Sequence, residues 1–379
     1  MKIGIIMPLA EQRGGAEQLL LDLVTHGLDL DIQWVLIFLE SGSMTNQVKA
    51  LGVETYIVSS GRLRDIHQWG QAVIQIARIA KKTRCNVLVG WMWKAHLYSG
   101  PASILAGIPS VWYQHEAPDD LSLLKRIANW IPTTAVLVIT QACQEAQLKH
   151  FPKTLTKVVY PGADLDRFNP TALSSVKDIR VSLDLPLQVP IVGIVGRLQH
   201  WKGIHVLIEA MPTILQFYPD VQCVVVGGKH DLEIDYFDYL KDLIAKLHLE
   251  QNVILAGFQR NIPEWMQAMD VIVHASDQEP FGIVVVEAMA LGKPVVAGAS
   301  GGPTEIISPG IDGLLVPFNE ADLLADAVLR CLKDQDFANQ LGSAAQVRAQ
   351  DFSIKKFAGN FINTVEDILS KSTHLQENV

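Results

Sequence analysis

Long apolar runs are missing from this 379-residue chain. Segments such as DIQWVLIFLE and AVLVIT are closed by polar residues within a strand's length, short of the ~18 apolar residues a spanning helix needs, so no membrane-crossing helix is expected. The opening MKIGIIMPLAEQRGG likewise has too short an apolar run for a signal peptide and reads as a first strand. Cysteine is scarce: Cys85, Cys143, Cys223 and Cys331 stand far apart without metal or redox spacing, as buried thiols of a reducing cytoplasm would. Only 19% of residues are charged against 49% hydrophobic, which excludes extensive disorder. The excess of acid behind the net charge of −9 lies after residue 175, and no clustered basic face suggests nucleic acid as a partner. The mildly basic N-terminal half leaves an anionic membrane surface open as a partner. Two nucleotide fingerprints are also absent, the G-x-G-x-x-G turn and the G-x-x-x-x-G-K-[ST] loop, which removes the support for nicotinamide and P-loop chemistry.

What is present is a repeated alternation of short Val/Ile/Leu-rich runs with helix-period segments. Seven runs (IGIIM, IQWVLIFL, TYIVS, NVLVGWM, PSVWYQH, AVLVIT, TKVVY) are followed by six more (PIVGIVG, QCVVVGG, NVILAGF, DVIVHAS, PVVAG, GLLVPF). Continuously apolar strands between helices predict parallel sheets covered on both faces, hence an α/β protein of two doubly wound, Rossmann-like domains. The Pro-, Asp- and Ser-rich stretch between the two series reads as a linker near 170–188, giving domains at 1–175 and 186–352 and a final amphipathic helix at 353–372. Ligands of such sheets bind beyond the carboxyl ends of the strands, so the chemistry belongs on those loops.

Four loops carry candidate residues. Gly14 and Gly15 precede a helical period and would leave N–H groups free to meet an anion, although a Gly-Gly turn is often simple loop geometry. In GRLQHWKG, Arg197 offers a planar fork and Lys202 a mobile point charge, a pairing suited to a diphosphate. Two solvated surface charges are the plain alternative. In EPFGIVVVE, Glu279 and Glu287 bracket a strand-to-helix turn whose Phe281, Gly282 and Ile283 would present N–H groups at a helix start. Because VVVEAMALG is otherwise apolar, an idle glutamate there would be costly. One carboxylate could meet a sugar and the other a ribose. In GWMWKAHLYSG, Trp93 and Lys94 are candidates for an acceptor sugar, while one of Trp91 and Trp93 is expected to be a core residue.

Taken together, GGAE, YPGADLDRFNP, VGRLQHWKG, EPFGIVVVEAMALGKPVVA, GGPTEII and GIDGLLVP resemble glycosyltransferase family 4 across nearly the whole chain. That resemblance implies the GT-B architecture, two Rossmann-like domains facing across a cleft, and a nucleotide-sugar donor. It implies that Glu279 contacts the donor hexose, that Glu287 bonds the ribose, and that Arg197 and Lys202 hold the diphosphate. The backbone of Gly14, Gly15, Phe281, Gly282 and Ile283 would complete the phosphate and sugar contacts, and the loops around Gly228 and Phe258 would read the base. His115, at the end of the fifth strand, matches a family histidine near the sugar's reactive centre. The final helix would return to the N-terminal domain, and catalysis would depend on domain closure.

The implied activity is retaining, metal-independent transfer of a hexose, with UDP-glucose the first choice of donor, to a glycan or lipid-linked glycan in polysaccharide biosynthesis. Catalytic roles fall to Glu279, His115, Arg197 and Lys202, with no cofactor and no metal, in a cytoplasmic protein or one peripheral to the inner membrane face. A nucleotide-sugar sensor without activity and a phosphorylase- or epimerase-like enzyme are the alternatives. Trp201 departs from the pattern, since related sequences commonly carry a smaller or polar residue before the lysine.

Overall fold

The thirteen apolar runs form thirteen strands, in two wholly parallel sheets. The structure, a computed structural model, describes all residues except 12–13, 28–29, 62, 117–122, 231–232 and 378–379, and the backbone alone for 372–377. The loop residues Gln12 and Arg13 before the first glycine pair therefore lie outside the described residues.

The first sheet comprises β1 (Lys2–Met7), β2 (Gln33–Phe38), β3 (Glu54–Ile57), β4 (Val87–Trp91), β5 (Ser110–Gln114), β6 (Ala135–Val138) and β7 (Thr156–Val158), in the order β3-β2-β1-β4-β5-β6-β7. The second comprises β8 (Ile191–Val195), β9 (Gln222–Val226), β10 (Val253–Gly257), β11 (Val271–His274), β12 (Val295–Gly298) and β13 (Leu314–Val316), in the order β10-β9-β8-β11-β12-β13. Each order reverses once, between β1 and β4 and between β8 and β11. Those reversals are the crevices where the ends of such sheets accept ligands. Central strands such as VLVGW and IVGIV are buried along their whole length because helices cover both faces.

The chain divides into two compact units, one of residues 1–162 with 354–379 and the other of 163–353. This corrects the expected boundary: residues 163–175 belong with the second unit, not the first. The reason is bonding that composition does not reveal. Ala163 donates its N–H to the Phe352 carbonyl at 2.9 Å, Phe168 is buried, and Arg167 donates to the Arg260 carbonyl at 3.2 Å. The expected linker itself contains the helix Val176–Ser182, capped by the Ser175 side chain. That helix delivers the buried Arg180, which donates to the carbonyls of Ala268 and Val189 and pairs with Asp270 at 2.8 Å. In the first unit the final helix, Ile354–Glu377, packs on the helix Gly15–His26, and its Phe357 and Phe361 meet the ring of Tyr113 under β5. All four cysteines are free and buried. Among the described residues no helix is long and apolar enough to cross a membrane.

Truncating Arg180 takes the partner from the buried Ala268 carbonyl, the half-buried Val189 carbonyl and Asp270 at once. Arg180→Ala is expected to cost about 2–4 kcal/mol of unfolding free energy. Val181→Ala at the exposed neighbouring position should stay within about 0.5 kcal/mol. Denaturant unfolding of the two variants checks this; equal stabilities would refute it.

Candidate active site

In the second unit, the loops after β8 and β11 meet at the point where the strand order reverses. After β8 the chain passes Arg197 and makes a single 3-10 turn, His200–Lys202, before the helix Ile204–Leu215. Gly203 ends that turn at φ 68°, and a Cβ there would come within 2.0 Å of the Ala275 carbonyl oxygen. Only glycine allows the Lys202 turn to lie this close to the end of β11. The Asp277 N–H then bonds the Trp201 carbonyl at 2.8 Å. On the other side Glu279 bridges to Gly301, and the Gly302 N–H donates to the Glu279 carbonyl at 2.7 Å. Glu279 is thus fixed by three loops. Gly282, at φ 95°, turns the chain into the helix Ile283–Ala290, a conformation other residues adopt only with strain.

The Glu279 side chain is buried, and one oxygen, Oε2, receives two groups: Lys202 Nζ at 2.5 Å and His274 Nε2 at 3.1 Å. Burial alone would raise its pKa, but the lysine charge and the histidine bond prevail and hold the carboxyl well below the usual carboxylate range. The Lys202 ammonium pays for the same burial: desolvation lowers its pKa more than Glu279 raises it, and the nearby Arg197 charge adds to the lowering. Its other side is covered by the Trp201 ring, 4.0 Å from Nζ to the centroid, within cation–π range. Arg197 is exposed.

The predicted residues of this unit therefore separate into tiers. Lys202 and Glu279, assigned to different parts of a donor, are brought into direct contact. Phe281 is buried against Phe352, with centroids 5.7 Å apart, and Ile283 opens the helix on which Glu287 is half-buried. Phe258 is exposed beside Gly228, whose loop accepts the Leu198 N–H on the Gly228 carbonyl at 3.0 Å, so the candidate base loops adjoin the Arg197 turn. His274 was missed. A lone histidine at a strand end is unremarkable in a sequence, and the available signal was its position five residues before Glu279 at the tip of an otherwise apolar strand.

In the first unit the candidates gather around Trp91, which is the core tryptophan of the pair; Trp93 is half-exposed. Trp91 Nε1 donates to the Ala16 carbonyl at 2.9 Å, just inside the helix that Gly14 caps and Gly15 begins, and its ring lies 5.0 Å from that of His115. Glu17 is buried in that helix's first turn. Burial pushes the His115 pKa down to about 3, which keeps the imidazole neutral, and among the described residues its buried Nε2 has no partner. Trp93 and Lys94 begin the next helix after Met92, a non-glycine residue at φ 77°. His96 is fully buried and stacked on Trp112 at 4.9 Å. Among the described residues no group of three or more His, Cys, Asp or Glu is arranged to hold a metal ion.

Residues 13–167 match the family model Glycosyltransferase Family 4, and residues 175–348 match Glycosyl transferases group 1. A D-inositol 3-phosphate glycosyltransferase of Corynebacterium aurimucosum is 31% identical over 74% of this chain and 69% of its own length. The chain belongs to glycosyltransferase family 4. A second D-inositol 3-phosphate glycosyltransferase, from Corynebacterium urealyticum, is 33% identical over 55% of this chain, a match that spans half the length of that relative. Among solved structures, Anabaena Alr3699/HepE in complex with UDP and glucose is 28% identical, with a TM-score of 0.85 over 97% of this chain and 99% of that one. The GT-B fold class implied by the family 4 motifs is therefore the fold of this chain.

Removing the ammonium leaves a buried carboxylate without its charge partner, with only the His274 bond on Oε2. Lys202→Met is expected to cost about 3 kcal/mol or more, and Lys202→Met combined with Glu279→Gln to recover much of it. Because the folded carboxyl pKa is depressed, the stability it contributes is present above the unfolded value of about 4.3 and is lost as pH falls below it. The advantage of the wild type over Glu279→Gln in denaturant unfolding should therefore shrink in acid; an advantage that grows in acid would contradict the pairing.

Proposed function

We propose that this chain is a retaining glycosyltransferase that moves a hexose, glucose first, from a UDP-sugar to a glycan or lipid-linked glycan acceptor in polysaccharide assembly. The observation that carries the reading is the buried Glu279 carboxylate held between Lys202 and His274, with exposed Arg197 on the adjoining turn, where the strand order reverses. Such a constellation offers fixed charge to a diphosphate and a fixed hydrogen-bond acceptor to sugar hydroxyls. The likeness to a protein solved with UDP and glucose supports the choice of donor.

In the proposed step the acceptor hydroxyl oxygen bonds the anomeric carbon on the face from which the diphosphate oxygen departs. The hydroxyl proton passes to that departing oxygen. Arg197 and Lys202 neutralise the charge that develops on the diphosphate, a preorganised electrostatic role that needs no metal. Glu279 orients the hexose, Glu287 bonds the ribose, and the loops around Gly228 and Phe258 take the base. The N–H groups of Phe281, Gly282 and Ile283 meet phosphate and sugar oxygens. For Gly14 and Gly15 at phosphate, His115 at the sugar, and Trp93 and Lys94 at the acceptor, the family motifs are the warrant. A neutral His115 would act there as a hydrogen-bonding group, not as a cation.

Glu279→Ala is expected to lower transfer from UDP-glucose by about a hundredfold or more while UDP still binds, since its part is played on the sugar. Wild-type turnover in the variant would overturn the assignment. Arg197→Ala should weaken UDP binding in calorimetry by about tenfold, the scale of a charge-assisted contact, and unchanged affinity would remove Arg197 from the diphosphate. A thermal-shift screen across nucleotide sugars, with and without chelator, tests the donor and the metal independence together. Stabilisation by another nucleotide sugar alone, or activity that vanishes with chelator, would replace that part of the reading.

A further inference from the structure

The loop from Glu279 to Ile283 is backed by a segment more than fifty residues further along the chain. Phe281 and Phe352 are both buried, and their rings meet edge to face at an interplanar angle of 65°. Arg348 lies over the Phe352 ring, 4.8 Å from guanidinium carbon to centroid, and donates to the carbonyls of Glu305 at 2.8 Å and Ile306 at 2.9 Å. Those carbonyls follow Gly302, where a Cβ would come within 2.1 Å of the Phe281 carbonyl oxygen. The helix Gln335–Ala349, which carries Arg348, also reaches the end of the helix that bears Glu287. There Gln346 donates to the Ala290 carbonyl at 3.3 Å, and a Cβ on Gly342 would lie 2.1 Å from the Gly292 carbonyl oxygen. Burial alone would be served by any large apolar side chain at 352, but edge-to-face packing and a stacked guanidinium call for a ring.

The backbone of the same phenylalanine has a second attachment. The chain passes between the two units at 162–163 and again at 353–354. Inside the second unit these passages are joined: the Phe352 carbonyl accepts the Ala163 N–H at 2.9 Å, and Ala163 pairs with Ser353 as an isolated bridge. Close-packed side chains yield little to compression, so a shift of Phe281 is passed to the ring it touches. We propose that Phe352 is a positioning residue for the transfer reaction. Its ring sets the backbone of Phe281, Gly282 and Ile283 against the donor, and its carbonyl carries the donor-occupied state to the Ala163 bond at the chain passages. The inference rests on the UDP-sugar reading of the site.

Amide hydrogen exchange read by mass spectrometry, with and without saturating UDP, tests it. In the wild type UDP should slow exchange about tenfold both in peptides covering 279–287 and in those covering 160–165. Phe352→Leu should melt within about 5 °C of the wild type and bind UDP within about twofold in calorimetry. It should keep the slowing at 279–287 and lose it at 160–165, and its turnover of UDP-glucose to UDP should show kcat lowered about tenfold at a KM within about twofold. Phe352→Tyr, which keeps the ring, should behave as the wild type does. Slowing at 279–287 with none at 160–165 in the wild type would overturn the proposal, as would a leucine variant that retains both. A leucine variant that loses UDP affinity together with its fold would make Phe352 a structural residue and overturn it too. UDP that protects neither segment of the wild type would remove the donor reading, and this inference with it.

Discussion

A carboxylate taken out of water demands compensation, and the answer Glu279 receives organises the second unit's sheet end. Lys202 and His274 converge on one oxygen of the group, so the turn after β8 and the tip of β11 must lie against each other. Gly203 makes that approach sterically possible, the Asp277–Trp201 bond ties the loops across it, and Gly302 holds the glutamate's own backbone. Pairs of this kind contribute little net stability against an apolar replacement, but losing one partner is costly. The site is therefore a place where stability has been committed to a fixed charge pattern, which is what electrostatic catalysis at a leaving group requires.

Pairing also sets the state in which an anionic ligand finds the site. Lys202 is held between a carboxylate and the Trp201 ring, and it is Arg197 that stands in water. On the proposed reading an incoming diphosphate meets Arg197 first and then competes for an ammonium already shared with Glu279. The Trp201 ring helps shield that ammonium.

Much of the fold was legible in the chain because parallel strands buried on both faces cannot hide their apolar runs, and every one of the thirteen became a strand. The boundary between units was not legible, since Pro, Asp and Ser around 163–175 look like a linker until Ala163, Arg167 and Phe168 are seen bonded or buried. In the site, Glu279, Lys202 and Arg197 stood out as charged residues at strand tips. Their pairing did not, because a close approach through glycine is a tertiary fact, and His274 was hidden by its ordinariness.

The central claim is that Lys202, held by Glu279, serves the donor's diphosphate. Calorimetry with UDP and UMP on the wild type and on Lys202→Met tests it most directly. The account predicts that the variant loses most of the extra affinity that the second phosphate gives UDP over UMP, while UMP binding changes little. An undiminished preference for UDP, or an equal loss for both nucleotides, would contradict it.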